Sequence, residues 1–339
     1  MLRHFFHETT KLASRLVGGK DTTGFGTEVI LAIRCPCNYS CYYCVAGNAP
    51  VERTSTFAFP KLEDAYSRLK PLVVTSLECG RGEPALHPQI QDILETCTRH
   101  GMVSVPTNNS ISPSKWMPRT HPERLLVRAA LHPSGEENLN LFLQHLLDMR
   151  DLSAHARVEF VAHPGRVKRI EYYRDFFSQH GFEMVVTPFI GNYLGKEYPG
   201  SYSSEERSAM GLDEKGWYGQ LVPDLVVRDF AGIPCLAGFR SIYIAPDGGM
   251  RRCLYDSTIL AKPYGRAVPC SVKHCGCGLL LEELNTVDDA TFWNFWRRLA
   301  GLELLHSETS LTPEQVYQQK RAKYWELMQR YGKCCEKTV

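Results

Sequence analysis

Cys37, Cys41 and Cys44 are separated by three and then two residues, directly after an apolar run at residues 29–33. Thiolates on one short loop can hold three corners of a cubane iron–sulfur cluster. The loop offers no fourth thiolate at a matching interval, so one iron is left open for an exchangeable ligand. Because an open iron is a site of reaction, we predict that these three cysteines bind a catalytic 4Fe–4S cluster.

Zinc and disulfides explain the three cysteines less well. A zinc knuckle pairs its cysteines and adds two further ligands about 12 or more residues on, which would leave Cys37 unused. A disulfide framework is unexpected in a chain with 13 cysteines and no secretory signal. Cys35 stands outside the pattern, and we predict it as a small apolar residue at a strand end.

The loop resembles the Cys-x3-Cys-x2-Cys motif of the radical S-adenosylmethionine superfamily, whose last cysteine follows an aromatic residue, as Cys44 follows Tyr43 here. The resemblance implies that S-adenosylmethionine binds the open iron and that Tyr43 belongs to the cofactor site. It also implies an external one-electron reductant similar to flavodoxin or ferredoxin. The fold implied is a partial (β/α)6 TIM-like barrel, open on one side.

Composition excludes several other classes of protein. The 339 residues carry a net charge of +2, which gives no electrostatic case for nucleic-acid binding. No stretch approaches the roughly 20 uninterrupted apolar residues of a membrane span. The number of thiols indicates a reducing compartment, and we expect a cytoplasmic protein.

Strand and helix patterns alternate between residues 28 and 190. The helical spacing i, i+3, i+4, i+7 recurs at Ile90–Cys97 and again from Leu139, with Leu141 outside the apolar stripe. This alternation predicts an α/β fold with a parallel sheet and right-handed crossovers. Six units are too few for a closed eight-unit barrel, in agreement with the partial barrel. The predicted strands are residues 29–33, 72–77, 102–105, 125–131, 158–161 and 184–189.

The domain boundaries follow from changes in this pattern. We predict an N-terminal extension, the barrel, a loose bridging segment rich in Gly, Tyr, Pro and Ser, a cysteine-rich auxiliary domain, and C-terminal helices with a tail. A capping box at Thr312 begins one of these helices. The five regions are residues 1–27, 28–190, 191–231, 232–285 and 286–339.

A cofactor pocket is predicted at the ends of the next strands. Gly82 and Glu83 resemble part of the superfamily's Gly-Gly-Glu-Pro motif, which binds the methionine amino group, with Arg81 in place of the first glycine. An ionised Glu83 facing an ammonium forms a charge-assisted hydrogen bond. Asn108 is a candidate hydrogen-bonding partner of the cofactor, although a plain turn explains it equally. Arg128 is a candidate partner of the methionine carboxylate, unless it points outward.

A second metal site is predicted in the cysteine-rich region. Five cysteines within 43 residues of a chain without a secretory signal indicate metal. Residues 241–245 and 250–253 form a predicted hairpin with an Asp-Gly turn. The spacing Cys235-x12-Gly248-x4-Cys253 resembles the opening of SPASM and twitch domains, which implies one auxiliary 4Fe–4S cluster. A structural zinc site is the alternative. The predicted ligands are Cys235 and Cys253 with two of Cys270, Cys275 and Cys277.

The resemblance implies reductive cleavage of S-adenosylmethionine to a 5′-deoxyadenosyl radical, which abstracts a hydrogen atom from the substrate. An auxiliary cluster makes oxidation the expected outcome. Only 36 residues precede Cys37, too few for a separate peptide-recognition domain, so we expect a small-molecule substrate such as a sugar, nucleotide or amino-acid derivative. The alternatives are epimerisation, with Cys79 as a hydrogen donor, peptide modification, and a non-catalytic cluster scaffold or electron carrier.

Overall fold

Six parallel strands form the centre of one sheet and pair with each other in chain order. The computed structural model describes residues 27–44, 59–69, 73–80, 82–189, 191–210, 234–235, 237–239, 241–264 and 268–271. The six strands are β1 (Thr27–Ala32), β2 (Val73–Glu78), β3 (Gly101–Thr107), β4 (Leu125–Ala130), β5 (His155–Ala162) and β6 (Met184–Pro188). All six predicted strands are confirmed, and the sheet is the one expected of a partial barrel.

Helices connect most of these strands. They are α1 (Phe59–Ser67), α2 (Ile90–His100), α3 (Pro133–Glu137), α4 (Leu139–Asp151) and α5 (Ile170–Gln179). The predicted apolar stripe of α2 is buried, and Leu141 of α4 is 52% exposed, as its position outside the stripe predicts. The connection from β3 to β4 differs, because only two short 3₁₀ helices, Pro113–Lys115 and Pro122–Arg124, occur there. The fully buried ring of Trp116 packs into the core at this point.

The two faces of the sheet have different roles. Sequential parallel strands with right-handed crossovers carry their helices on one face. Val158 and Phe160 of β5 point to that face and pack with Phe142 and Phe177 of the helices. Because side chains alternate along a strand, the intervening residues point to the opposite face, which we call the helix-free face. The strand registers place Ser76, Ser104, Arg128, Ala130, Arg157, Glu159 and Val161 on it.

The segment predicted as a loose bridge contains regular structure in its described part. A short hairpin pairs β7 (Gly191–Tyr193) with β8 (Lys196–Tyr198), and helix α6 (Ser204–Ala209) follows. A capping box begins α6, since the Glu206 amide donates to Ser203 Oγ (3.2 Å) and the Ser203 amide donates to Glu206 Oε2 (2.8 Å). The loop prediction is therefore wrong for this part of the segment.

Four short strands follow in the cysteine-rich region. They are β9 (Pro234–Cys235), β10 (Ser241–Ile244), β11 (Met250–Arg251) and β12 (Val268–Pro269). The predicted hairpin is confirmed, because β10 and β11 are antiparallel and Gly248 in their turn has a φ of 74°. Unexpectedly, β10 also pairs in parallel with β1, which extends the sheet to eight strands in the order β11-β10-β1-β2-β3-β4-β5-β6.

Several predicted features lie outside the described residues. They are the N-terminal extension before Thr27, Arg81, the ligand candidates Cys275 and Cys277, and the helix expected at Thr312. Among the helices that the structure does describe, not one combines the length and the apolar character needed to cross a bilayer.

Candidate active site

The cysteine loop, residues 37–44, follows β1 at the carboxyl end of the sheet. Polar contacts fix it to the ends of β2 and β3. The Glu83 amide donates to the carbonyl of Pro36 (2.9 Å), just before the loop. Asn38 donates through Nδ2 to Ser110 Oγ (2.9 Å) and accepts at Oδ1 from Asn108 Nδ2 (2.9 Å). The chain after β3 therefore holds the first half of the loop.

Two histidines that follow β4 and β5 hold the second half of the cysteine loop. The hydroxyl of Tyr43 lies 2.8 Å from Nδ1 of His132, and the hydroxyl of Tyr42 lies 2.8 Å from Nε2 of His163. The Tyr43 ring is buried, whereas Tyr42 is 73% exposed. Four strand ends thus converge on the loop, as the carboxyl-end rule for α/β folds requires.

The three predicted cluster ligands are half-buried thiols on this loop. Cys37 Sγ accepts hydrogen bonds from the Tyr39 amide (3.4 Å) and from Asn108 Nδ2 (3.9 Å), and Cys41 Sγ lies 3.5 Å from His132 Nδ1. Burial raises the pKa of the Cys37 and Cys41 thiols. Binding to iron requires the thiolate, so cluster assembly at this loop releases protons.

The donor set fits a cluster better than a single ion. Within the described ranges, no three His, Cys, Asp or Glu side chains are grouped closely enough to hold one metal ion. Each thiolate of a cubane binds a different iron, so its ligands lie farther apart than those of a mononuclear site. Three soft thiolates at the carboxyl end of the sheet match iron–sulfur chemistry.

His132 is neutral in this environment. Burial and the positive charge of Arg166 lower its pKa to about 4. The pKa of His163 is lowered as well, by burial and then by the same arginine. At neutral pH each imidazole is therefore neutral, with one ring nitrogen that donates and one that accepts, and the ring nitrogen that faces the tyrosine hydroxyl takes one of these two roles.

Glu83 is the centre of a buried polar cluster. Its carboxylate is 2% exposed and accepts hydrogen bonds from the Asn108 amide (2.5 Å), Thr107 Oγ1 (2.7 Å) and the Ala85 amide (3.0 Å). Burial raises the pKa of Glu83, although these three hydrogen bonds act in the opposite direction. A cation beside the carboxylate would offset the remaining cost of burying its charge.

Gly82 is required for packing next to Glu83. A Cβ at this position would meet Cys35 Sγ and would lie 2.6 Å from the Cys35 carbonyl oxygen. The resemblance assigned Gly82 to the cofactor site, and the structure adds a close approach to Cys35, which follows β1. Cys35 and Cys79 are both buried in the core on this side. Cys79 therefore faces the core and does not reach the helix-free face as the hydrogen donor considered for epimerisation.

Two further predicted cofactor residues have partners within the protein. Asn108 is buried and uses its side chain to hold Asn38 and Ser110. Arg128 lies on the helix-free face with Nη1 3.6 Å from Glu159 Oε1. Glu159 also binds Arg157, and although burial raises the pKa of this carboxyl, the two arginines lower it by more, so that it lies below its ordinary value.

The second predicted metal site is partly described. Strands β9 and β12 pair in antiparallel fashion with Cys235 opposite Val268, which brings the segment of Cys270 beside Cys235. A buried arginine, Arg252, donates through Nη2 to the carbonyl oxygens of Val268 (3.0 Å) and Pro269 (2.6 Å). The backbone next to Cys253 is thereby tied to the segment that carries Cys270.

Asp256 strengthens this connection. Its carboxylate binds Arg252 Nη1 (3.1 Å) and accepts from Ser271 Oγ (2.8 Å), while its amide donates to Cys253 Sγ (3.2 Å). The structure thus brings together the chain segments of three predicted ligands. Cys275 and Cys277 lie outside the described residues.

The sequence did not predict Thr107 as the partner of Glu83, nor the Arg157–Glu159 pair on the helix-free face. A signal for the pair was present, because the charged residues alternate with the apolar Val158 and Phe160 along one strand. That alternation indicates a strand with a polar second face, which an interior strand of a closed barrel does not need.

Comparison with known proteins finds a relative of similar sequence. No family model matches the chain. AlbA of Bacillus subtilis (strain 168), an antilisterial bacteriocin subtilosin biosynthesis protein, is 23% identical over 236 residues, which cover 64% of this chain and 52% of AlbA. The chain thus spans about half the length of this curated relative.

Two solved structures are similar to the chain. AdoMet-bound anSMEcpe is 13% identical with a TM-score of 0.49 and covers 89% of this chain and 96% of its own. SuiB of Streptococcus suis, bound to S-adenosylmethionine, is 14% identical with a TM-score of 0.46 and covers 75% and 68%. The Cys37–Cys44 loop at the carboxyl end of β1 and the six sequential parallel strands agree with the radical S-adenosylmethionine superfamily that the sequence resembles, and AlbA is the curated relative to which the chain is similar.

Proposed function

We propose that this enzyme modifies a peptide by radical chemistry. The observation that supports a peptide is the match to a biosynthesis protein of a bacteriocin, since bacteriocins are peptides or proteins. The sequence favoured a small molecule, on the ground that few residues precede Cys37. The match covers about half of AlbA, so the number of residues before Cys37 does not argue against a peptide. A peptide therefore replaces the small molecule as the proposed substrate.

The residues of the cysteine loop carry the first part of the mechanism. Cys37, Cys41 and Cys44 would hold the catalytic cluster, and Tyr43 of the same loop contacts His132. When bound, the cluster and S-adenosylmethionine supply a 5′-deoxyadenosyl radical that takes a hydrogen atom from the peptide, and an auxiliary cluster supplies an acceptor for the electron that then leaves it. An external one-electron donor of the flavodoxin or ferredoxin class supplies the reducing electron.

Glu83 binds the methionine ammonium of the cofactor in this proposal. Its two oxygens accept three hydrogen bonds from the protein, and a carboxylate offers about four acceptor positions. The remaining position and the uncompensated negative charge suit a cationic donor. Thr107 and the Asn108 amide hold the carboxylate in place, so the carboxylate is positioned before the cofactor arrives.

The auxiliary site is proposed at the junction of β9, β12 and the turn after β11. Cys235 and Cys253 are its first two ligands, and two of Cys270, Cys275 and Cys277 complete it. Arg252 and Asp256 position the backbone around the site without using a thiol. An electron acceptor at this site makes oxidation the expected outcome, with one hydrogen atom, one electron and one proton lost from the peptide per turnover.

The test uses the anaerobically reconstituted full chain with S-adenosylmethionine and a chemical reductant. We expect 5′-deoxyadenosine from the wild type and none from the variant in which Cys37, Cys41 and Cys44 are all alanine. A peptide substrate is then sought among short peptides by mass spectrometry, as a product that has lost two hydrogens. Cleavage in the triple variant would contradict the cluster assignment. Turnover of sugars or nucleotides with peptides inert would return the substrate to the small-molecule class.

A further inference from the structure

Two arginines stand side by side on the helix-free face. Arg128 of β4 and Arg157 of β5 are direct partners in the parallel register, and Glu159 is the next residue of β5 on the same face. Arg157 Nη2 lies 2.5 Å from Glu159 Oε1, and Arg128 Nη1 lies 3.6 Å from the same oxygen. One carboxylate therefore faces two guanidinium groups.

Among the described residues, no further charged side chain contacts this group and neutralises its charge. Glu183, which precedes β6, also interacts with Arg157 electrostatically, but its side chain is exposed and forms no ion pair with it among the described residues. Exposed carboxylates are screened by water and contribute little to such a balance. The contact group of two arginines and one glutamate retains one positive charge.

Arg157 also has hydrogen-bond donors without a partner among the described residues. The side chain is 8% exposed, and its Nε and Nη1 atoms have no hydrogen-bond partner in the part of the protein that the structure describes. The buried Nε atom of Arg128 likewise has no hydrogen-bond partner among the described residues. Buried donors on a cation are unfavourable unless an acceptor reaches them. Arg128 and Glu159 are 23% and 18% exposed, so the group is reached from the helix-free face.

Arg157 and its register partner Arg128 lie at the same level of the sheet, on the amino-terminal side of the cysteine loop. Arg128 comes four residues, or roughly 13 Å of strand, before His132, which contacts the loop. The part predicted for Arg128 in binding the methionine carboxylate stays a prediction, and the Nε and Nη1 donors of Arg157 remain for a second anion.

We propose that Arg157, with Arg128 and Glu159 beside it, binds a carboxylate of the peptide substrate. The carboxylate belongs to an Asp or Glu side chain or to the peptide C-terminus. This inference rests on the proposed peptide-modifying function and adds to it that the substrate is recognised through a carboxylate. An extended peptide anchored at Arg157 places a residue several positions away beneath the cysteine loop, so the acid and the modified residue are separated in the sequence of the substrate.

The test measures binding instead of turnover. The probes are three N-acetylated oligoglycine peptides of equal length: one amidated with a central Asp, one with a free C-terminal carboxylate, and one amidated without any acid. Each is titrated anaerobically into the cluster-loaded full chain with S-adenosylmethionine. We expect at least tenfold tighter binding for one or both acidic probes. The probe that binds identifies the source of the carboxylate.

Arg157→Gln should abolish this preference while the affinity for S-adenosylmethionine and the iron content stay unchanged. Because this change leaves Glu159 with one cation fewer, the double variant Arg157→Gln/Glu159→Gln, which removes both charges, is measured beside it. Arg119→Gln, at a surface arginine 67% exposed, is the matched control and should retain the preference.

Equal binding of all three probes to the wild type would overturn the proposal, and so would a preference that survives in both Arg157 variants. Loss of cofactor affinity with the acid preference intact would move Arg157 to the cofactor site. Failure of the peptide-modifying function is seen separately, as the absence of any modified peptide product, whatever the probes show.

Discussion

The hydroxyl of Tyr43 and Nδ1 of His132 lie 2.8 Å apart, and the same nitrogen lies 3.5 Å from Cys41 Sγ. One neutral imidazole at the end of β4 thus contacts both the aromatic residue of the cysteine motif and one predicted cluster ligand. The aromatic position of the motif is thereby explained, since its ring is buried and its polar end attaches the loop to the sheet.

Tyr43→Phe removes this attachment while keeping the ring. Loss of one partly buried hydrogen bond weakens the loop by about 1 kcal/mol, which corresponds to roughly fivefold faster release of iron if the loop must open first. The measurement is the rate at which a chelator takes iron from the catalytic site of the reconstituted protein. Tyr42→Phe is the control, because its hydroxyl makes an equivalent contact with His163 from an exposed position. A rate for Tyr43→Phe no faster than that of the wild type would show that the Tyr43 contact does not stabilise the loop.

Glu83→Ala should weaken the binding of S-adenosylmethionine and spare the iron content. Removing one partner of a buried, hydrogen-bonded charge pair costs about 2 to 5 kcal/mol, or at least tenfold in affinity. Equilibrium binding to the cluster-loaded protein measures the effect. Glu78→Gln is the control, since Glu78 is exposed at the end of β2 and accepts a hydrogen bond from the Gly80 amide (3.2 Å). An unchanged affinity in Glu83→Ala would place the methionine ammonium elsewhere.

Gly82→Ala should destabilise the fold by about 1 to 3 kcal/mol, the usual range for an overpacked core position. The added methyl group would press on Cys35, because its Cβ would lie 2.6 Å from the Cys35 carbonyl oxygen, which belongs to the backbone. Urea unfolding measures the loss. Gly200→Ala is the matched control, because its Cβ would find nothing closer than the Glu197 carbonyl oxygen at 3.9 Å. The double variant Gly82→Ala/Cys35→Ala should recover only the part of the loss that the thiol causes.

Metal analysis tests both cysteine sites together. Two 4Fe–4S clusters predict about eight irons per reconstituted chain. Cys235→Ser or Cys253→Ser should lower this number to about four, stop peptide turnover and spare cleavage of S-adenosylmethionine. The triple alanine variant of the cysteine loop should also retain about four irons and lose cleavage. A chain with about four irons and one zinc would show instead that the C-terminal site is structural.

The stability of the fold should fall as the pH decreases from 8 to 6. Burial lowers the pKa of His155, while Glu123 acts in the opposite direction. A histidine whose folded pKa lies below its unfolded value near 6.5 stabilises the fold above that pH, because only the unfolded chain takes up the proton as the pH falls. The contribution of His155 over this interval is at most about 0.8 kcal/mol. Urea unfolding at both pH values should give a smaller difference for His155→Gln, and an identical difference would refute this role.

The local features of this protein were predictable from its sequence. The spacing of Cys37, Cys41 and Cys44 specifies a thiolate loop, since ligands on one short loop need no distant partner to be recognised. The six strands and the helix patterns also follow from local periodicity, which reflects one buried face per element. The cysteine-rich hairpin was predictable for the same reason, because its turn chemistry lies within a few residues.

The contacts between distant residues, in contrast, depend on how the strands assemble into the sheet. Tyr43 reaches His132 across 89 residues of sequence, and Thr107 reaches Glu83 across 24, because parallel strands bring their carboxyl ends to one edge of the sheet. The pairing of β10 with β1 is likewise invisible in the sequence, since strand neighbours depend on which sheet edge is left uncovered. The side-by-side arrangement of Arg128 and Arg157 depends on register, where a shift of one residue would turn one of them to the other face. Local pattern thus determined the elements and the cluster loop, whereas the long-range register of the sheet determined the partners that give the site its chemistry.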